Sequence, residues 1–184
     1  MPRIYLVRHG KAAAGFGEDM DPGLDDLGRS QAEAVAQKLK TVGPMPIISS
    51  PLKRTQETAA PLAALWHQDP AIEICVAEIP SPKGMTLEER VVWLRQFMAG
   101  SWLDAPPELA KWRQQCVGSI AALDHDAVVF SHYVAINVLM GMAVGDDKVV
   151  VFSPENCSVT TFDNTGGKLD LIEKGSEASL TKVN

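Results

Sequence analysis

Cysteine is scarce in this 184-residue chain. Cys75, Cys116 and Cys157 lie far apart and form no C-x-x-C pair, which excludes a disulfide framework and a cysteine zinc site and leaves them as core filler. No apolar run approaches the roughly 20 residues that span a bilayer. The first residues also lack a basic region followed by a long apolar stretch, so the expectation is a soluble, cytoplasmic protein with no membrane partner. Positive charge is in deficit: 17 Lys plus Arg stand against 23 Asp plus Glu, a net charge of -6 with no basic block. Nonspecific binding to nucleic acid is thereby excluded, and any anion site must be local. Several phosphate and acyl-transfer signatures are missing as well. No Cys is followed six positions later by Arg, and neither G-x-x-x-x-G-K-[ST] nor G-x-S-x-G occurs. Asp19 and Asp21 have aspartate phosphatase spacing but follow no strand pattern and lack its Thr. Repeats, low-complexity stretches and linkers are absent, and 46% hydrophobic with 22% charged residues is ordinary globular composition, so residues 1–184 read as one domain.

What is present starts at Ile4-Tyr5-Leu6-Val7-Arg8-His9-Gly10-Lys11, an apolar run too short for a helix and rich in β-branched and aromatic types. It reads as a buried strand delivering Arg8 and His9 at its carboxyl end, where open α/β sheets place their ligand sites. A histidine beside a fixed positive charge and a glycine suits attack of imidazole on phosphorus. Taken alone, the tripeptide is equally compatible with a strand end that is merely polar.

Helical spacing of Leu27, Gln31, Val35, Leu39 and Val42 predicts a helix of about 17 residues from Asp25 and Asp26 to Gly43, packed by Leu27, Val35 and Leu39. Ile47 to Ser50 reads as a strand, so strand, helix and strand form a parallel crossover unit. Pro51 opens a helix carrying Lys53, Arg54, Thr55 and Glu57, and Pro61 should bend or break it. A third strand is expected over Ile72 to Val76, ending at Ala77-Glu78-Ile79. Thr86 and Glu89 have capping-box spacing ahead of a helix that closes near Gly100. Another helix from Pro106 buries Leu109, Trp112, Cys116, Ile120 and Leu123, and Trp102-Leu103 marks an apolar corner. Ala127 to Ser131 is a strand ending in His132, followed by an apolar, buried helix over Val134 to Val144. Val149 to Phe152, Val159 to Phe162 and Leu169 to Ile172 read as strands, the last two joined at Asn164-Thr165-Gly166-Gly167. His67 and His125 fit no motif and are expected on the surface.

Leu6 to Gly10, Leu24 to Ala32, Ser50 to Ala59 and Ser131-His132 resemble, in order, the motifs of the histidine phosphatase superfamily, also called phosphoglycerate mutase-like. The resemblance implies an α/β fold: a three-layer α/β/α sandwich with a mostly parallel central sheet and a helical insertion at about 80–124, where this family selects its substrates. It implies His9 as the phosphorylated nucleophile, Arg8, Arg54 and His132 as phosphoryl ligands, Glu78 in the place of the proton donor, and no cofactor or metal. Departures bear on the activity. Ala12 and Gly15 stand where the better-known mutases carry Ser and Asn, Tyr133 stands where the second histidine is usually followed by Gly, and Lys11-Ala12 is closer to the small phosphohistidine phosphatases. With a chain short for a glycolytic mutase, these rank phosphatase above mutase.

The residue types suit those roles. A phosphoryl group in flight spreads negative charge over three equatorial oxygens, so fixed donors matter most, and Arg8 and Arg54 supply planar forks that cannot lose their protons. The attacking histidine must be neutral, its other nitrogen donating to an acceptor; His132 can be protonated and donate. Glu78 carries a proton near neutral pH if burial raises its pKa. The expected activity is therefore a metal-independent phosphomonoesterase working through phosphohistidine on a small phosphorylated metabolite. A phosphohistidine-protein phosphatase, a mutase-type phosphotransferase, an inactive phospho-ligand-binding module and a His9–His132–Glu78 metal site remain alternatives. Substrate identity and oligomeric state are not legible.

Overall fold

A computed structural model describes residues 1–15 and 17–178. Its strands are β1 (Arg3–Arg8), β2 (Ile47–Ser49), β3 (Ala71–Ile72), β4 (Ala127–Ser131), β5 (Val159–Thr165) and β6 (Lys168–Glu173). Its helices are α1 (Asp26–Leu39), α2 (Lys53–Trp66), α3 (Leu87–Met98), α4 (Pro107–Ala121) and α5 (Tyr133–Val144). The strands form one mixed sheet in the order β3-β2-β4-β1-β5-β6. The β3-β2-β4-β1 block is parallel, and β5 and β6 extend it antiparallel beyond β1.

Side chains alternate across the strands and so feed two cores. Val7, Val128 and Phe130 pack under α1 and α2 with Val35, Leu39, Ala59 and Leu62. On the opposite face Ile4, Leu6 and Val129 meet Ile120 of α4 and Ile136, Leu139 and Met140 of α5. Helices on both faces of the sheet give the three-layer α/β sandwich.

The chain runs outward from β1 to β2 and β3, returns to insert β4 between β2 and β1, and then crosses to β5. This reversal beside β1 is a topological switch point, and it opens a crevice at the carboxyl ends of the strands. Register there pairs Arg8 with Ser131. His9 and His132 consequently leave the sheet side by side.

Several elements differ from their expected form. α1 stops at Leu39, and Leu27 is 53% exposed rather than packed, because Ala32, Val35, Ala36 and Leu39 already supply the buried stripe. Pro61 lies inside α2 without ending it; Arg54, Thr55, Thr58, Ala59 and Leu62 anchor that helix on the sheet on both sides of the proline. The third strand shrinks to Ala71–Ile72, since the Glu73 carboxylate accepts from Cys75 N at 3.0 Å and turns Ile74–Val76 into a short 3-10 helix. Ile72 and Ile74 are accordingly exposed, as is Leu103. Val149 to Phe152 forms no strand: the donors of Val151 and Phe152 go to the Asn137 side chain, at 2.7 and 3.0 Å, instead of to a neighbouring strand. The capping box at Thr86 and Glu89, the buried face of α4 at Leu109, Trp112, Cys116 and Ile120, and the hairpin turn at Gly166 and Gly167 stand as expected, whereas Leu123 lies past the end of α4 and is only partly buried. Cys116 fills the core, whereas Cys75 and Cys157 are only partly buried.

Candidate active site

His9 follows β1 and is buried. Its Nδ1 lies 2.7 Å from the carbonyl oxygen of Gly10. A carbonyl can only accept, so Nδ1 carries the proton and the lone pair sits on Nε2. The second contact agrees: Arg54 Nε donates to His9 Nε2 at 3.2 Å. The backbone around the histidine is fixed as well. His9 N donates to Ser131 O at 3.1 Å, Asn156 Nδ2 donates to His9 O at 2.9 Å, and Gly10 N donates to Thr58 Oγ1 at 3.0 Å. Gly10 has a steric reason to be glycine, since a Cβ there would meet Gly28 O at 2.6 Å.

His132 leaves β4 and caps α5, with its ring centroid 5.2 Å from that of His9. Its Nε2 pairs with Ser50 Oγ at 2.7 Å, while Nδ1 is buried without a partner. Burial first, then the neighbouring His9, Arg54 and Arg8, push His132 well below the ordinary histidine pKa of 6.5. Burial and these neighbouring charges thus both favour the neutral His132 ring over the protonated one. Burial, Arg54 and Arg8 depress His9 in the same way.

Arg54 sits in the first turn of α2, buried, with the Asp21 carboxylate 3.9 Å from its Nη1. Arg8 donates from Nη1 to Pro154 O at 2.8 Å and lies over the Tyr133 ring at 5.1 Å. Burial lowers the pKa of both guanidiniums, yet from a starting value so high that they stay cationic.

Glu78 emerges from the turn after the 3-10 helix rather than from a strand end. Its carboxylate accepts from Ile79 N at 3.0 Å and from Val134 N at 3.1 Å, the latter in the first turn of α5. Burial raises its pKa against the opposing pull of the Ile79 amide, Arg54, the Val134 amide and Arg8. The five residues singled out in the sequence are thus linked at one end of the sheet. His67 and His125 are exposed and away from it.

A family model for the histidine phosphatase superfamily (branch 1) matches residues 4–175. The chain belongs to this superfamily. Among relatives, it is 27% identical over 186 residues to a probable phosphoglycerate mutase, GpmB, of Proteus mirabilis, with 89% of this chain and 85% of the other covered. It is 31% identical over 152 residues to the uncharacterized protein Rv0525 of Mycobacterium tuberculosis, covering 73% and 74%. Among solved structures, phosphoserine phosphatase from Entamoeba histolytica in complex with 3-phosphoglyceric acid superposes with a TM-score of 0.75 at 24% identity, covering 96% of this chain and 98% of that one. YhfR of Bacillus stearothermophilus gives 0.76 at 21% identity, covering 97% and 98%. These last two share the fold of this chain over nearly its whole length.

Sequence reasoning missed the supporting residues of this histidine phosphatase site. Ser50 and Thr58 lie inside the third motif, Ser50 to Ala59, without a contact that the motif alone assigns; Thr58 is four residues after Arg54, and its hydroxyl donates to Arg54 O at 2.6 Å, a spacing that could have flagged it. Asn156 had no local signal, because it reaches His9 across the fold. Among the described residues no group of three or more His, Cys, Asp or Glu converges as metal ligands would, and no helix is long and apolar enough to cross a membrane.

Proposed function

We propose that this chain is a phosphomonoesterase that works through a phosphohistidine on His9 and takes a small phosphorylated metabolite. The observation that carries this reading is the agreement of two hydrogen bonds on one tautomer: Gly10 O holds the Nδ1 proton and Arg54 meets the Nε2 lone pair. A nucleophile aimed at a cation is a nucleophile aimed at the place where a phosphoryl group will sit.

In this reading Arg8, Arg54 and neutral His132 bind the nonbridging oxygens. His9 Nε2 attacks phosphorus, the bond to the ester oxygen breaks, and Glu78 gives its proton to that oxygen. Water then attacks the phosphohistidine while the Glu78 carboxylate takes its proton. Alcohol and orthophosphate are the products, and His9 and Glu78 return to their starting states. The arginine forks supply the charge stabilisation that phosphoryl transfer requires. Residues 80–124 act as an insertion within a single domain, walling the site from one side. Arg90 at the start of α3 donates to Ser81 Oγ at 2.6 Å and reaches Met20 Sδ in the loop beside Asp21.

Acid-labile phosphate should be trapped on His9 after rapid quenching with a phosphate monoester, and His9→Ala should abolish both trapping and turnover. Native turnover by that variant, or phosphate mapped elsewhere, would overturn the assignment. Screening the native protein on metabolites and phosphohistidine proteins decides the substrate class. Faster turnover of the proteins would move the reading to a phosphohistidine-protein phosphatase, and binding without turnover would make it a binding module.

A further inference from the structure

Tyr133 occupies the position directly after the second histidine, where the superfamily resemblance leads one to expect glycine. It is the first residue of α5 and lies partly buried, with its ring under the Arg8 guanidinium at 5.1 Å. The ring is itself held, since its hydroxyl pairs with Ser153 Oγ at 2.9 Å. The next residue, Pro154, accepts from Arg8 Nη1 at 2.8 Å. Asn137 closes the frame: its Nδ2 donates to Tyr133 O, and its Oδ1 accepts from Val151 N and Phe152 N, which ties the segment before Ser153 to α5.

This frame determines which edge of Arg8 is presented. Nη1 is taken by Pro154 O, and Nε is buried with no partner. A buried, unsatisfied cationic N–H is costly unless it meets an acceptor in the working state. A guanidinium fork matches phosphate oxygens two at a time, so the Nε–Nη2 edge is the one suited to a phosphoryl group. A single hydrogen bond from Nη1 would leave the plane free to pivot about that contact; an aromatic face stacked on it removes the pivot.

We infer that Tyr133 is a positioning residue for phosphoryl binding: its ring, tied to Ser153, holds the Arg8 guanidinium so that the Nε–Nη2 edge faces the phosphoryl group. The inference rests on Arg8 being a phosphoryl ligand, as proposed above.

The test is orthophosphate binding by calorimetry, with kcat and KM for a phosphate monoester and the thermal midpoint measured on each variant. Tyr133→Leu should weaken orthophosphate binding and raise KM about tenfold, the scale of a partly desolvated cation–π contact. Tyr133→Phe keeps the ring and should recover most of that loss, to within about threefold of native. In an Arg8→Ala background Tyr133→Leu should add no further loss, because the ring acts only through Arg8. Should Tyr133→Leu lower the thermal midpoint, Tyr133→Met, whose unbranched flexible side chain adapts to the gap without presenting a π face, takes its place. Native affinity in the ringless variants overturns the inference, as does an undiminished loss in the Arg8→Ala background. Native affinity in Arg8→Ala alone would instead overturn the phosphoryl role of Arg8, and the inference would fall with it.

Discussion

Replacing Glu78 by Gln keeps the size of the side chain and removes its titratable proton, which separates proton donation from every other service of that residue. The carboxylate accepts from Ile79 N at 3.0 Å and from Val134 N at 3.1 Å, and a Gln carbonyl can still accept from both. Loss of packing or backbone support should therefore be small, within about 1 kcal/mol, the scale of one imperfectly replaced hydrogen bond. Loss of the proton is a different matter. An alkyl phosphate departs as a strongly basic alkoxide and should slow by about 100-fold or more without its general acid, whereas nitrophenyl phosphate leaves as a weakly basic phenolate and should slow far less. Steady-state kinetics of both esters on both proteins, with a chemical denaturation curve for each, provides the full comparison. Equal losses on the two substrates would assign Glu78 to holding α5 against the turn. Absence of loss on either would remove Glu78 from the chemistry and direct the search for the acid to Asp21, Glu88 or Glu155.

Arg54→Ala should cost about 100-fold or more in kcat, as when one oxyanion donor is removed, and it should move the acidic limb of kcat/KM to higher pH because Arg54 is one of the charges that depress His9; an unmoved limb would separate the two groups electrostatically. Chelators should leave turnover intact while vanadate inhibits, and metal-restored activity after exhaustive chelation would favour a His9–His132–Glu78 metal site. Asn137→Ala strands the amides of Val151 and Phe152 and should lower unfolding stability by about 2–4 kcal/mol in denaturant titration; a loss below about 0.5 kcal/mol would mean that water replaces the amide. Stability should also fall as pH drops below 6.5, the ordinary histidine value, because the unfolded chain then binds protons that buried His9 and His132 refuse; a flat stability profile from pH 7 to 5 would contradict their burial as neutral rings.

Strand ends were the legible part of this chain. Leu6 to Gly10 and Val128 to His132 announce buried strands that stop at a histidine, and both histidines stand beyond those strands in adjacent register. Local spacing also found the capping box at Thr86 and the anchored face of α4. What stayed hidden was whatever depends on a distant partner. Val149 to Phe152 has strand composition but gives its amides to Asn137, and no local pattern reports a side-chain amide arriving from α5. Pro61 is a helix breaker by propensity, yet the buried residues around it hold α2 to the sheet. Glu78 was legible as a position in the superfamily pattern, but the donors that hold it, one of them in α5, were not.

The protonation states of the site share one physical origin. In the proposed mechanism attack needs His9 neutral, and departure needs Glu78 protonated. With the ordinary values of 6.5 and 4.5, independent titration at pH 5.5 would leave about one molecule in eleven correct at each group and about 1% correct at both. Burial lowers the histidine and raises the carboxyl, so each value moves toward the other, and the doubly correct form would rise from about 1% to about one quarter at the point where the two values meet. The arginines then act unequally. Arg8 and Arg54 depress His9 in the same sense as burial, whereas at Glu78 they oppose it and burial prevails. A site that binds a dianion through two cations would, in water, keep its acid ionised. Enclosure of Glu78 by the turn at Ile79 and the first turn of α5 lets the cations stay without costing the proton, and opening that enclosure should narrow the pH–rate profile from its basic side.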